Sequence, residues 1–424
     1  MRAGRRLAAL GIGGLFGVAV LAACNGILGV EDVRLRKDSG LLDVDNETEL
    51  QPESAPPEGG PRPVENVLEV ALGFTHTCAR KPDLTVKCWG DDNAGQTGTG
   101  GNHDGGVVPV PAAVAVPDAI RIASGKNHTC VVRKGGHVVC WGDNQDGQIG
   151  NGLTNARSLV PDDVKGITDA ISLACGASFS CAVRGTGAVM CWGSGLAGQL
   201  GNGLRQIAPL AGPVSNVDRV VAISAGESHA CAVREDGSVL CWGDGFAGQL
   251  GNGDQKDRLT PTPVPMLDNV MTVAAGARST CVLKTSGAVQ CWGENKLGQL
   301  GTGAASDTPI LTPTPVNGVD AIALWAGADH ACAVKRSGSV ACWGAGAFGQ
   351  IGDGVARLDA SATTAAPAGV IGITSAVKVG TGGYHSCATT PNTILCWGAN
   401  DRGQLGTGAV GSTLLSPGSV MGYP

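Results

Sequence analysis

The segment GESHACAVREDGSVLCWGDGFAGQLGNG, residues 226–253, contains several residue types that could perform chemistry. Tetrahedral zinc accepts histidine and cysteine ligands such as His229, Cys231 and Cys241. The run GDGFAG, which begins at Gly243, has the G-x-G-x-x-G spacing of a loop that cradles phosphate groups. These residues could form a metal site, a nucleotide site or neither. The secondary structure that positions their side chains distinguishes these possibilities.

This segment is one copy of a repeat of about 51 residues that occurs seven times. Every copy contains the tripeptide CWG, followed by G-Q-[L/I/T]-G, and a further cysteine lies nine or ten residues before the CWG cysteine. Each copy holds about four short strand candidates separated by turn residues, without a helical period. The CWG tryptophans are Trp89, Trp141, Trp192, Trp242, Trp292, Trp343 and Trp397.

Seven four-stranded units of similar length predict an all-β fold, a seven-bladed β-propeller over residues 65–424. A propeller leaves only short, protected strand edges, whereas an open solenoid usually has shorter periods and distinct capping repeats. Neither end of the repeat array resembles a cap. The CWG tryptophans are expected to form the core between blades.

The repeat also resembles a known family. The pattern H-x-C-A…G-x-V-x-C-W-G-x-x-x-x-G-Q-L-G is similar to the regulator of chromosome condensation repeat, whose members are seven-bladed propellers. The match extends from about residue 65 to the end of the chain, with seven copies in register. The resemblance implies interaction with other proteins as the common activity. The cysteine pair in every copy departs from the family's usual pattern.

The paired cysteines are predicted to form cross-strand disulfides. In CAVREDGSVLC, a three-residue loop, EDG, places Cys231 opposite Cys241 at a non-hydrogen-bonded position, where the Cα separation suits a disulfide. Gly237 then takes the left-handed conformation that a type I turn with a G1 bulge requires. The pairs are Cys78 with Cys88, Cys130 with Cys140, Cys181 with Cys191, Cys231 with Cys241, Cys281 with Cys291, Cys332 with Cys342, and Cys387 with Cys396.

Two copies depart from this hairpin. In the last copy, CATTPNTILC, a two-residue loop at Pro391 and Asn392 keeps Cys387 opposite Cys396. The first copy, CARKPDLTVKC, lacks the glycine and offers no equally simple turn. The cysteines are therefore expected to face each other in both kinds of hairpin.

The other copies do not support zinc. The position of His229 is Phe179 in the third copy and Ser279 in the fifth, although both keep their cysteine pairs. A ligand should not vary independently of its partners, so we expect no metal site and no cofactor. The histidines at this position are expected to be structural turn residues: His76, His128, His229, His330 and His385.

Cys175 has no partner in the repeat pattern. It aligns with Ala225 of the next copy, which is a small residue. A buried free cysteine is the favoured interpretation, because such a cysteine behaves as a small hydrophobic residue. A reactive or intermolecular thiol is the alternative.

The glycine runs do not indicate a nucleotide site. GDGFAG is followed by QLG and a glycine-rich loop, whereas the dinucleotide fingerprint opens the helix of a β-α-β unit. DNQDG, at Asp143, lacks the spacing and the terminal glutamate of a calcium loop. We expect a non-enzymatic protein, although an enzyme acting on surface polymers stays an alternative.

The N-terminal part of the chain predicts export and a lipid anchor. Arginines precede an apolar run from Leu7 to Val20, which is typical of a signal peptide over residues 1–23. LAAC resembles the bacterial lipobox, and this resemblance implies that Cys24 is lipidated and becomes the mature N-terminus. A plain cleaved signal peptide and an uncleaved anchor are the alternatives. Residues 24–64 are acidic and proline-bearing, as expected of a flexible tether.

Charge and cysteine content are consistent with this location. A net charge of −6 does not provide the basic surface expected of a nucleic-acid binder. Sixteen cysteines in an exported chain indicate an oxidising compartment. We expect a monomer in the cell envelope, held outside the cytoplasm by lipid at the outer membrane or cell surface.

Binding is expected at the variable loops that follow G-Q-[L/I/T]-G, because loops on a rigid scaffold commonly carry function. These loops should emerge on one face of the ring. The candidate residues are His103, Asn155, Arg157, Arg205, Gln255, Lys256, Arg258 and Arg357.

The leading hypothesis is a binding scaffold for an unknown protein or surface ligand. An inhibitor of a secreted or surface protein is a specific form of it. The alternative implied by the resemblance is nucleotide exchange on a small GTPase. Export, disulfides and the acidic balance oppose this alternative.

Overall fold

The predicted seven-bladed β-propeller is confirmed in a computed structural model that describes residues 69–101, 104–154, 157–357, 359 and 363–423. Seven antiparallel sheets each contain four consecutive strands. The first and last blades are therefore each built from one continuous stretch of chain. The ring closes where the inner strand of the first blade contacts that of the last blade.

The first strand of each blade is its inner strand, and these strands contact each other around the ring. They are β1 (Glu69–Leu72), β5 (Ala119–Ser124), β9 (Ala170–Cys175), β13 (Val220–Ala225), β17 (Val270–Ala275), β21 (Ala321–Ala326) and β25 (Lys378–Thr381). The second strands are β2 (His76–Arg80), β6 (His128–Arg133), β10 (Phe179–Arg184), β14 (His229–Arg234), β18 (Ser279–Lys284), β22 (His330–Lys335) and β26 (His385–Thr389).

The third strands carry the CWG tripeptides. They are β3 (Val86–Asp91), β7 (Val138–Gly142), β11 (Val189–Gly193), β15 (Val239–Gly243), β19 (Val289–Asn295), β23 (Val340–Ala345) and β27 (Ile394–Gly398). The outer strands are β4 (Val107–Val114), β8 (Ser158–Asp163), β12 (Ala208–Pro213), β16 (Arg258–Pro263), β20 (Ser306–Val316), β24 (Thr363–Gly369) and β28 (Leu414–Ser419). A single 3-10 turn, Asp104–Gly106, precedes β4. Within the described residues, no helix is long and apolar enough to cross a membrane.

The core lies between adjacent blades. All seven CWG tryptophans are completely buried, as predicted. Trp192 of the third blade, for example, packs in one cluster with Val132, Cys140 and Ile149 of the second blade. At the closure of the ring, Trp89 packs in the same way in a cluster with Leu405 of the last blade. Each CWG tryptophan is therefore buried against residues of the preceding blade.

The antiparallel order of the strands defines two faces of the ring. The connections from first to second strand and from third to fourth strand leave each blade at one face, which we call the loop face. The hairpins between second and third strands, and the connections to the next blade, lie at the opposite face, which we call the hairpin face. The variable loops all belong to the loop face.

Candidate functional site

The G-Q-[L/I/T]-G element forms the joint between one blade and the next. The main-chain oxygen of its glutamine accepts a hydrogen bond from the indole N–H of the following CWG tryptophan, as between Gln148 and Trp192 at 2.8 Å. The same bond occurs at all seven joints, including the closing one between Gln404 and Trp89 at 2.9 Å. These bonds explain why the two elements recur together.

The repeated histidine also binds the neighbouring blade. His229 Nε2 lies 2.9 Å from the Thr280 hydroxyl, which itself donates to the main-chain oxygen of Gln249 at 2.8 Å. Since the hydroxyl uses its proton on Gln249, the imidazole donates from Nε2. Burial lowers the pKa of His229 to about 4, so the ring is neutral. The histidine of the opening segment is therefore a structural donor between blades.

The seven cysteine pairs form disulfides between facing residues of the second and third strands. Gly237 has a φ of 77° in the three-residue hairpin loop, as the turn chemistry predicts. In the first copy Leu84 takes this left-handed position, with a φ of 65°. In the last copy the Thr390 N–H donates to Thr393 O, which closes the predicted two-residue loop.

Cys175 is the buried free cysteine that the repeat pattern predicts. Its sulfur, one nitrogen of His128 and the sulfur of Cys130 lie within 4.8 Å of one another, a grouping between two blades that sequence reasoning missed. Cys130 is in a disulfide with Cys140, and burial raises the pKa of Cys175 to about 12. These groups can offer two thiolates to a metal only after the disulfide is reduced.

Most of the described candidate binding residues hold the loops in place. Arg205 donates to Leu196 O at 3.0 Å and pairs with Asp257 at 2.7 Å, and Gln255 donates to Phe246 O at 2.8 Å. Arg157 donates to the main-chain oxygen of Asn93 in the preceding blade, Arg258 pairs with Asp254, and Arg357 pairs with Asp353. Lys256 is exposed and has no such bond from its side chain within the described residues.

His103 and Asn155 lie outside the described residues, as do Cys24, the predicted signal peptide (1–23) and the predicted tether (24–64). The remaining candidates all belong to the loop face.

The loop face exposes apolar side chains that sequence reasoning missed. The side chains of Leu196 and Phe246 are 59% and 76% exposed, and Phe348 is also exposed. They occur in the short runs between CWG and G-Q-[L/I]-G, where other copies have Asn93, Gln145 or similar polar residues. This contrast between copies is the sequence signal that indicates exposed apolar side chains, and in GDGFAG it is carried by Phe246 and not by the glycines.

A cavity of about 380 Å³ opens at the centre of the loop face. The loops between first and second strands form its rim, each beginning with a glycine that follows the inner strand. Phe74 and Tyr384 line it from the first and last blades, with ring centroids 5.0 Å apart, and Phe348 packs on Tyr384 at 4.8 Å. The cavity therefore has an aromatic wall.

The adjoining part of the rim is acidic. Glu227, Glu294 and Asp329 line it from the fourth, fifth and sixth blades, and Arg278 pairs with Glu227 at 3.4 Å. Burial, and then the neighbouring Glu294 and Glu227, raise the pKa of Asp329. Burial and Asp329 likewise raise the pKa of Tyr384. Carboxylates and aromatic rings therefore face one cavity.

Comparisons with protein families match the repeat region. Two profiles described as "Regulator of chromosome condensation (RCC1) repeat" match, one at residues 135–183, 186–233, 236–283 and 286–334, and the other at residues 119–148, 170–199, 220–249, 272–299 and 319–350. Together they cover residues 119–350 without a break, which is more than half of the chain.

Among curated proteins, the chain is similar to the probable E3 ubiquitin-protein ligase HERC4 of Mus musculus, with 30% identity over 140 residues. The matched segment is 32% of this chain and 13% of that protein. The E3 ubiquitin-protein ligase HERC2 of Mus musculus is 30% identical over 145 residues, which are 33% of this chain and 3% of that protein. The chain thus corresponds to a small part of both relatives.

Two solved structures share the fold. Prp20p from Saccharomyces cerevisiae matches with a TM-score of 0.71 and 20% identity, over 84% of this chain and 87% of that chain. Human WBSCR16 matches with a TM-score of 0.70 and 22% identity, over 80% of this chain and 94% of that chain. Both similarities extend around most of the ring.

Proposed function

The chain belongs to the regulator of chromosome condensation (RCC1) repeat family, and we propose that it is a non-enzymatic scaffold that binds a protein partner at the loop face. The observation that carries this proposal is the combination of exposed apolar side chains, such as Phe246 and Leu196, with an open cavity on the same face. Several exposed apolar side chains on one face, beside an open cavity, are typical of an interaction site.

The loops are fixed before any partner binds. Each donates a backbone N–H to the outer strand of the next blade, as from Gly203 to Leu259 O at 2.9 Å. Arg205 and Gln255 brace the turns that carry Leu196 and Phe246. A surface ordered in advance loses less conformational entropy on association, which favours binding.

We place this scaffold outside the cytoplasm, attached to the cell envelope through a lipid on Cys24. The signal-like N-terminus and lipobox-like LAAC support this placement. Seven disulfides also favour an oxidising compartment. Inhibition of a secreted or surface protein is a specific form of the proposed function.

Exchange-factor activity is a second candidate. It is favoured by the fold shared with Prp20p, whose structure is described together with its binding to Gsp1p and histones. Disulfides in every blade favour an extracytoplasmic partner instead.

A capture experiment tests the proposed function. The full chain and a Leu196→Ser/Phe246→Ser variant would be used to capture proteins from surface fractions of the source cells. Met266→Ser is the matched control, because Met266 is 72% exposed on the hairpin face. We expect one stoichiometric partner, retained by the control and lost by the loop-face variant. Equal capture by both variants would contradict binding at the loop face, and a guanine-nucleotide-binding partner would favour the second candidate.

A further inference from the structure

The rim of the central cavity is chemically asymmetric. Going around the ring, carboxylates come from the fourth to sixth blades, and aromatic rings follow in the sixth, seventh and first blades. The repeat frame is the same in all blades, so this asymmetry comes from residues that vary at two places. One lies between the inner-strand glycine and the repeated histidine, as in GFTH, GESH, GADH and GGYH, and the other follows CWG, where Glu294 and Phe348 lie. The variation is concentrated at the cavity.

Among the described residues of the rim, two of the carboxylates form no ion pair, although the charge of Arg278 also lowers the pKa of Asp329. Arg278 pairs with Glu227, whereas Glu294 and Asp329 form no ion pair within the part of the chain that the structure describes. The other cation at the rim, Lys126, lies over the ring of Phe74 at 5.6 Å. Negative charge therefore exceeds positive charge beside Asp329.

A cation at this position would be stabilised in two ways. It would neutralise the Asp329 carboxylate, whose pKa is raised by burial first and then by the neighbouring Glu294 and Glu227. It would also meet the faces of aromatic rings, whose quadrupole attracts ammonium and guanidinium groups. Hard metal ions prefer oxygen ligands alone and gain little from an aromatic wall, so an organic cation fits this combination better.

On the basis of the proposed function, we propose that the cavity receives a lysine or arginine side chain from a protruding loop of the protein partner. The charged group would lie beside Glu294 and Asp329 and against the ring of Tyr384, which Asp329 neighbours. The apolar surroundings favour a protein over a free small cation. A small cation would leave Phe246 and Leu196 exposed, whereas a protein seated on the loop face would cover them.

The chemistry of the cavity can be tested with side-chain analogues. Nα-acetyl-lysine methylamide and Nα-acetyl-arginine methylamide, which keep their charged side chains, would be titrated into the full chain. Nα-acetyl-norleucine methylamide is the uncharged match. We expect the basic amides to bind at about 1 mM and the norleucine amide about tenfold more weakly. Equal binding of the three amides, or no binding of the basic ones, would overturn the proposal.

Substitutions locate the site. Glu294→Gln/Asp329→Asn should weaken binding of the basic amides about tenfold, because the charge that attracts them is removed. Glu235→Gln is the matched control, since Glu235 is an exposed carboxylate on the hairpin face, and it should leave the affinity unchanged. Thermal unfolding of each variant verifies that the ring is intact. An unchanged affinity in the double variant would place the cation elsewhere and refute the proposal.

The capture experiment separates the two proposals. Glu294→Gln/Asp329→Asn should reduce capture of the partner. If the double variant captures the partner normally while Leu196→Ser/Phe246→Ser does not, the loop face is the binding site and the basic side chain is refuted. If neither loop-face variant affects capture, the proposed function itself fails.

Discussion

His385 and Thr77 are 308 residues apart in the chain, yet His385 Nε2 lies 2.8 Å from the Thr77 hydroxyl. This bond joins the last blade to the first, and the Thr77 hydroxyl donates to Gln404 O at 2.9 Å. It is the same joint that His229 and Thr280 form in the middle of the ring. The ring is therefore closed by the contact that its other blades use, without exchange of a strand between the first and last sheets.

The partners at these joints vary together. Each of the five histidines is followed, in the next blade around the ring, by a threonine or serine that it contacts. Phe179 and Ser279 replace the histidine, and the following blades then have Ala230 and Ala331 at the hydroxyl position. A hydroxyl is therefore present only where an imidazole needs an acceptor.

This pairing predicts energetic coupling between His229 and Thr280. Thr280→Ala should lower the free energy of unfolding by about 1 to 3 kcal/mol, because it leaves the buried imidazole N–H without an acceptor. His229→Phe should cost a similar amount through crowding against the threonine. The double variant reproduces the Phe179 and Ala230 pair, so its cost should be at least about 1 kcal/mol below the sum.

Urea unfolding of the four proteins measures this coupling. As a control, His229→Phe is combined with Thr129→Ala, which belongs to another joint, and these two changes should be additive within about 0.5 kcal/mol. Additive costs for His229 and Thr280 would show that the pairing has no energetic basis.

The buried histidines predict loss of stability in mild acid. Burial lowers the pKa from 6.5 to about 4 in His128, His229 and His330, and to about 3 in His76 and His385. The unfolded chain therefore binds more protons below about pH 6.5, and the free energy of unfolding falls as the pH falls. Each histidine should lower the free energy of unfolding by about 2 kcal/mol at pH 5 relative to pH 7.

Urea unfolding at pH 7 and pH 5 tests this dependence. The His229→Phe/Thr280→Ala variant should lose about 2 kcal/mol less than the wild type over this interval. His137→Ala, at an exposed position, is the control and should match the wild type. Carboxylates whose pKa is lowered, such as Asp353 beside Arg357, stabilise the fold until the pH falls further. Their protonation therefore does not mask the effect of the histidines on the free energy of unfolding.

The hairpins and the tryptophan core could be predicted because they depend on local spacing. Cysteines ten residues apart around a turn glycine face each other whatever the rest of the chain does, and Leu84 escaped prediction only because a non-glycine residue rarely adopts its φ of 65°. Phe74 and Tyr384 meet through closure of the ring, which no single copy reveals. The loop arginines were candidates because they lie in the variable loops, but intramolecular ion pairs occupy Arg205, Arg258 and Arg357.

The last glycine of G-Q-L-G is predicted to be essential for packing of the next tryptophan. A Cβ on Gly251 would lie 2.5 Å from Trp292 Nε1, and its φ is 68°. Gly251→Ala should therefore combine a backbone cost of about 1 to 2 kcal/mol with an overpacking cost of about 1 to 3 kcal/mol. Gly253→Ala is the matched control, because Gly253 has a φ of 90° and open space around it. Thermal unfolding should show the larger loss for Gly251, and equal losses would refute the steric role of Trp292.

Lipidation of Cys24 is predicted to determine where the protein is found. In a bacterial host, the wild type should incorporate an alkyne-bearing fatty acid and fractionate with membranes, because lipid chains partition into the bilayer. Cys24→Ser should abolish the label and shift the protein to the soluble or precursor fraction. Cys175→Ser controls for labelling of a thiol, and it should keep both label and membrane association, since Cys175 is buried within the ring. A wild-type protein without label, or a labelled Cys24→Ser variant, would show that the protein is anchored by other means or not at all.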